Sequence, residues 1–268
     1  MSEKRPYVLS IAGFDPSGGA GITADIKTFE ANKVYGLGVC SALTFQNDEN
    51  FEGVDWISLE KIIKQIEVLN KKYKIDWIKI GLIESFDVLD RLILYLKEIF
   101  KGCKIIWDPI LNASAGFTFH QNIEVNRLEI LARNLFLIIP NWDEIQKLYP
   151  GKEPLDGAKR LSKHCNVFLK GGHNIKAPGR DYLFLIDLVD ASGKNHLEIK
   201  NDGKMNQFSF RPTEIIKYPK HGSGCVLSAA VTANLARGWG LHRACLRSKD
   251  YITKFLSSSD SLLGFHKI

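Results

Sequence analysis

A doubly wound α/β fold, with a mostly parallel sheet and an antiparallel edge, is predicted by three features of this 268-residue sequence. Short apolar runs alternate with amphipathic stripes. Glycine-rich loops sit beside those runs. Between Tyr182 and Phe210 the pattern changes to strand-like segments with turns and no helix between them. Short apolar runs suit strands buried on both faces, and stripes at i, i+3, i+4, i+7 suit helices laid over them.

In order, Tyr7–Ile11 reads as a strand, Ala12–Ala20 as a turn-rich loop and Ile22–Asn32 as a helix. A second apolar stretch, Leu37–Thr44, precedes the helical stripe of Leu59, Ile62, Ile63 and Ile66. Trp77–Ile80 is strand-like, Leu89, Leu92, Ile93 and Leu96 form another stripe, and Lys104–Trp107 is a further strand. Leu128–Arg133 reads as helix, then Phe136–Ile139 and Val167–Lys170 as strands. Turns at Ala191–Lys194 and Asn201–Lys204 divide the expected antiparallel edge. Two helices, Gly224–Arg237 and Leu241–Ser258, close the chain around a C-cap at Gly238–Gly240. Without repeats or a low-complexity linker, and with 45% hydrophobic content, residues 1–268 are expected to form one domain.

The formal charge of +6 is spread along the chain, which favours small anionic ligands over nucleic acid. No aromatic–basic interleaving suggests base stacking. Five separated cysteines, without a C-x-x-C pair, indicate neither a disulfide framework nor a zinc site. The apolar stretch Tyr7–Ala12 is too short for a signal-peptide core, and no run reaches the ~18 residues of a membrane span. A reducing, cytoplasmic setting with no membrane partner is expected.

In open parallel sheets, ligands bind beyond the carboxyl ends of the strands, so loops after strands carry the chemistry. The first glycine-rich loop is Gly13–Gly21. Its Gly19-Ala20-Gly21-Ile22-Thr23-Ala24 fits a dinucleotide fingerprint, but the strand stops well before it and Phe45-Gln46 stands where an acidic residue is needed. The second loop, His221-Gly222-Ser223-Gly224-Cys225, opens a helix whose first amides have no intrahelical acceptor, so phosphate could sit there. An ordinary glycine-rich helix entry is the plainer reading. Cys225 lies in the first turn, where the helix N-terminus should lower the thiol's pKa and suit it to act as a general base. Its plainer reading is a small buried hydrophobe.

These segments resemble the hydroxymethylpyrimidine/phosphomethylpyrimidine kinases of thiamine biosynthesis, within the ribokinase-like superfamily. The resemblance runs through Ser10–Ile22, Ala24–Phe29, Ala42–Asn47, Lys79–Gly81, Pro140-Asn141 with Glu144, Lys170–His173, and His221–Cys225 with Leu227–Ala230. It implies a three-layer α/β/α kinase that uses ATP and Mg²⁺ on an aminopyrimidine substrate, and a homodimer. It assigns Gly13, Asp25 and Gln46 to the substrate, with Leu82 beside the same pocket. Gly222, Ser223 and Gly224 would hold the transferred phosphoryl group and Cys225 would take the hydroxyl proton. Asn141 and Glu144 look like the superfamily's N-x-x-E motif, whose carboxylate organises Mg²⁺, and Asp108 and Lys170 are nucleotide-side neighbours. His173 and His221 are read as satisfied loop histidines.

Three departures from the family pattern stand out, the first costing a phosphate-side cation and the other two bearing on substrate choice. Ser114 stands where many members carry lysine, Phe14 where a small polar residue is usual, and Leu82 where methionine is common. Pyridoxine or pyridoxal, similar rings bearing a hydroxymethyl group, therefore remain alternative substrates. A non-catalytic ligand-binding module is the reading from a different class.

Overall fold

The computed structural model describes residues 5–111, 123–172, 174–186, 207–212, 214 and 219–266. Its strands are β1 (Tyr7–Phe14), β2 (Tyr35–Gln46), β3 (Phe51–Trp56), β4 (Trp77–Ile80), β5 (Lys104–Trp107), β6 (Leu137–Ile138), β7 (Asn166–Leu169), β8 (Asp181–Phe184) and β9 (Gln207–Phe210). The helices are α1 (Gly21–Ala31), α2 (Leu59–Asn70), α3 (Phe86–Ile99), α4 (Val125–Ala132), α5 (Trp142–Leu148), α6 (Pro154–Leu161), α7 (Ser223–Ala236) and α8 (Leu241–Leu256). One sheet joins the strands in the order β3-β2-β1-β4-β5-β6-β7-β8-β9.

Pairing is parallel from β2 through β7 and antiparallel at both rims. The expected antiparallel edge is formed by β8 and β9, and the turns expected at 191–194 and 201–204 lie outside the described residues. The other rim, β3, was not anticipated. Its signal is the polar Asn47–Asn50, where the Asn47 side chain accepts from the Glu49 and Asn50 N–H groups and turns β2 back on itself.

Alternation along the strands sorts the helices into two layers. Ile78 and Ile80 of β4 face a core that also contains Ile62 and Ile66 of α2, Leu92 and Leu96 of α3 and Leu131 of α4. The opposite face carries α1, α7 and α8 through Phe29, Val226, Val231 and Ile252. Helix α7 is buried all round from Cys225 to Leu235, because small residues such as Ala229 and Ala233 let it sink between the sheet, α1 and α8. That fixed position sets where its N-terminus points.

The short helices α5 and α6 carry too few stripe residues to be read from periodicity. Helix α5 is held by a capping box instead: Asn141 accepts from the Glu144 N–H at 2.8 Å while Glu144 accepts from the Asn141 N–H at 2.6 Å. Pro154 starts α6 at a position that needs no N–H donor.

Phe29 is fully buried between α1, Val8 and the Ala229–Ala233 face of α7. Phe29→Ala should lower unfolding free energy by about 3–5 kcal/mol in urea melts. A loss under about 1 kcal/mol would contradict this packing.

Candidate active site

Two glycine loops meet at the strand ends because their backbones touch. Gly21 has φ +59°, and a Cβ there would fall on the Gly13 carbonyl. Gly222 has φ +70°, and its Cβ would collide with the Gly19 carbonyl. Only glycine meets both demands, positive φ and bare backbone contact. A polar latch reinforces the junction: the Asp15 carboxylate accepts from Ser17 and Ala20 N–H groups at 2.9 and 2.8 Å and lies 2.9 Å from His221 Nε2. Burial opposes Asp15 ionisation, but the His221 ring and those N–H groups outweigh it and hold the carboxyl below its ordinary value. His221 is thus a satisfied loop histidine, while His173 lies outside the described residues.

The loops bound a cavity of about 530 Å³. Its walls follow the sheet order. Gly13, Gln46 and Leu82 stand at the ends of β1, β2 and β4, whereas Asp108, Asn141 and Lys170 stand after β5, β6 and β7. Gly222, Ser223, Gly224 and Cys225 line the same cavity, and Glu144 joins them from α5. The Gln46 amide donates to Thr44 Oγ1 at 2.9 Å, and the Leu82 side chain lies 3.0 Å from where a Gly13 Cβ would stand. Ser114 lies outside the described residues.

Lys170 donates to Asp108 at 2.6 Å and lies 3.5 Å from Glu144 Oε2. Ser228 donates to the other Asp108 oxygen at 2.8 Å, tying β5 to α7. Burial pushes Glu144 up to about 7 against the pull of Lys170. Farther along, Lys249 of α8 pairs with Asp181 at 2.6 Å, and Asp181 accepts from the Gly171 N–H at 2.7 Å.

Two expectations need correction. Asp25 is not on the cavity wall. It lies fully buried beneath the floor, paired with Lys79 at 2.7 and 2.8 Å and accepting from Ser10 Oγ at 2.6 Å. Nor does Cys225 have a lowered pKa. Burial pushes its thiol up to about 11, outweighing the nearby Lys79 charge and a hydrogen bond from the Gly21 N–H. Desolvation of a closed site exceeds what a helix start returns.

Asp181 and Lys249, which line the cavity, were missed, as were Lys79 paired with Asp25 and Asp15 in the loop junction. Lys79 had a signal in a lysine placed inside an apolar strand run. Lys249 had one too, falling between Cys245 and Ile252 on the buried stripe of α8.

A mostly parallel sheet with helices on both faces, whose strand ends surround a helix start and one cleft, is the architecture of the ribokinase-like small-molecule kinases. The model of the phosphomethylpyrimidine kinase family matches residues 15–267, and the chain belongs to that family. A hydroxymethylpyrimidine/phosphomethylpyrimidine kinase of Haemophilus influenzae is 30% identical over 267 residues, covering 93% of this chain and 90% of that protein. The chain spans about half the length, 46%, of two Saccharomyces cerevisiae kinases of the same description that are 29% identical to it over 265 residues, 94% of this chain.

Among solved structures, a phosphomethylpyrimidine kinase from Clostridium difficile superposes with TM-score 0.72 at 27% identity, covering 93% of this chain and 99% of that one. A Bacillus subtilis pyridoxal kinase in complex with ADP gives TM-score 0.74 at 26% identity, covering 94% and 92%. Membership of a family described as kinases weighs against the binding-module reading.

Gly222→Ala tests the loop junction. Strain of about 1–3 kcal/mol should part the two loops, so turnover should fall at least tenfold while the far-UV spectrum is retained. Full activity in that variant would show that the contact is dispensable.

Proposed function

We propose that this chain transfers the γ-phosphate of ATP to the hydroxymethyl group of 4-amino-5-hydroxymethyl-2-methylpyrimidine, and then a second phosphate to the resulting monophosphate. The observation that carries this reading is the cavity itself. Its acceptor end, at β1, β2 and β4, and its nucleotide end, at β5, β6 and β7, share one helix start between them. Related hydroxymethylpyrimidine/phosphomethylpyrimidine kinases support the substrate.

In this reading Gly13, Gln46 and Leu82 hold the ring, the Gln46 amide offering both a donor and an acceptor to ring nitrogens. Asp25 acts from beneath the floor. Asp108, Asn141 and Lys170 face the nucleotide. The N–H groups opening α7 at Gly222, Ser223 and Gly224 meet the charge on the migrating phosphoryl group. The acceptor oxygen bonds to the γ-phosphorus, the bond to the β–γ bridging oxygen breaks, and ADP leaves. The hydroxyl proton passes to the Cys225 sulfur, which must be a thiolate to receive it. Phosphoryl transfer is mostly positioning and charge neutralisation, so the base is the smaller contribution.

Mg²⁺ fits the residues present. The ion takes oxygen donors and keeps several waters, and the Glu144 carboxylate lines the nucleotide side of the cavity. Glu144 would help hold those waters, since its contacts to Asn141 and Lys170 both use Oε2. When bound, the ion would neutralise phosphate charge.

The whole chain is taken as one catalytic domain. A homodimer belongs to the same proposal, supported by the exposed Phe14, Leu43 and Phe45 near the β2–β3 rim, and light scattering tests it. A cytoplasmic setting is supported by five unpaired cysteines. No described helix is long and apolar enough to cross a membrane.

A second reading, phosphorylation of pyridoxal, is favoured by the likeness to the Bacillus subtilis pyridoxal kinase. ADP release from Mg·ATP with the aminopyrimidine, its monophosphate or pyridoxal separates the two. Turnover with pyridoxal alone would overturn the main reading.

Two expected outcomes follow from Cys225. Cys225→Ala should slow kcat about 10²-fold with the KM for ATP little changed. A thiol raised to about 11 is protonated at neutral pH, so its base form grows as pH rises. Wild-type kcat should therefore climb toward about tenfold per pH unit between pH 7 and 9, and Cys225→Ala should flatten that slope.

A further inference from the structure

The buried trio of Ser10, Asp25 and Lys79 has no direct part in the reaction just described. Ser10 and Lys79 stand opposite each other in register on β1 and β4. By strand alternation they share the sheet face of Val8 and Trp77, the face covered by α1 and α7. Asp25 reaches down from α1 to both, and all three are fully buried. The Lys79 ammonium extends toward the cavity floor: a methyl group on Gly81, the strand's next residue on that face, would lie 3.7 Å from Nζ.

Cys225 opens α7, which packs on β1 and β4 from the same side. Four charged groups from the elements packed around this helix start act on its sulfur electrostatically. Lys79 comes from β4, Asp25 from α1, Asp108 from the end of β5 and Lys170 from the end of β7. Lys170 is committed to Asp108 and Glu144 on the nucleotide side. Lys79 is the cation beneath the acceptor side.

We propose that Lys79 is a positioning residue for phosphoryl transfer: held in place by Asp25, its ammonium supplies the countercharge that lets the buried Cys225 thiol give up its proton. Resting thiol loses that proton to water. The thiolate then takes the acceptor hydroxyl's proton as the oxygen–phosphorus bond forms, which restores the resting thiol, so one proton reaches water per turnover. Burial opposes charge on Lys79 itself, yet the carboxylates of Asp25 and Asp108 and the Cys225 sulfur outweigh it and raise its pKa, so the cation persists. The catalytic part rests on Cys225 as base, whereas the countercharge stands without it.

The test follows iodoacetamide alkylation of Cys225 against pH in the full-length protein, with mass spectrometry to assign the labelled peptide. Lys79→Met should slow labelling at pH 8 about tenfold or more, one pKa unit being tenfold in thiolate, and lower kcat in parallel, with KM for ATP unchanged within threefold. A merely structural role would leave the labelling pH profile of the folded variant unmoved. Lys79→Arg should restore part of the labelling rate.

Equal labelling rates in Lys79→Met and wild type would overturn the inference. Should the Met variant fail to fold, equal labelling rates in Lys79→Gln and wild type would overturn it equally. If labelling shifts as expected while Cys225→Ala turns over normally, the countercharge stands and the base assignment falls.

Discussion

Everything at the strand ends depends on two places where bare backbone meets bare backbone, Gly21 on Gly13 and Gly222 on Gly19. These contacts bring the starts of α1 and α7 together over the sheet. The first N–H groups of a helix have no partner inside it, so two such starts around one cleft make a site for negative charge without spending a side chain. A side chain at either glycine would have to part the loops, and the Asp15–His221 latch spans the same seam.

Beneath and beside these loops run three lysine–carboxylate pairs, Lys79–Asp25, Lys170–Asp108 and Lys249–Asp181, at 2.7, 2.6 and 2.6 Å. Buried pairs of this kind are poor stabilisers, since desolvation takes back most of the attraction. Stability alone does not explain three of them in succession from β4 toward β8. Their placement along one cavity does, in the kinase reading proposed above. Each lysine is present and fixed before the ligand arrives, so its cation needs no reorganisation when phosphate charge enters the site. The carboxylates keep those cations tolerable in the empty protein.

Much of this was legible in the sequence. Trp77–Ile80 and Lys104–Trp107 coincide with β4 and β5, because four-residue apolar runs between turns have few other fates in a buried parallel sheet. The α7 loop was legible because glycine spacing before an apolar helix has a specific backbone meaning. What escaped was whatever depended on partners distant in the chain. Asp25 in the first helix reads as a ligand group, and only the register of Ser10 against Lys79 shows that its oxygens are already taken. The β3 rim escaped because Phe51–Trp56 lacks clean alternation, its burial being mixed throughout.

Cys225 shows how magnitude decides between two correct principles. A helix N-terminus favours a thiolate by roughly 0.3–1 kcal/mol at exposed sites and up to about 2 where partly buried. Full burial can move a pKa by 3–5 units at 1.36 kcal/mol each, roughly 4–7 kcal/mol. Burial therefore wins, and the thiol is pushed up to about 11. At pH 8 that leaves about one thiolate in a thousand, a standing penalty near 4 kcal/mol. In the proposed transfer, a base so rarely ready is tolerable because a loose phosphoryl transfer asks little of it. It also means that each neighbouring charge scales the ready fraction directly. The cation under the floor therefore weighs more here than it would beside a thiol already ionised.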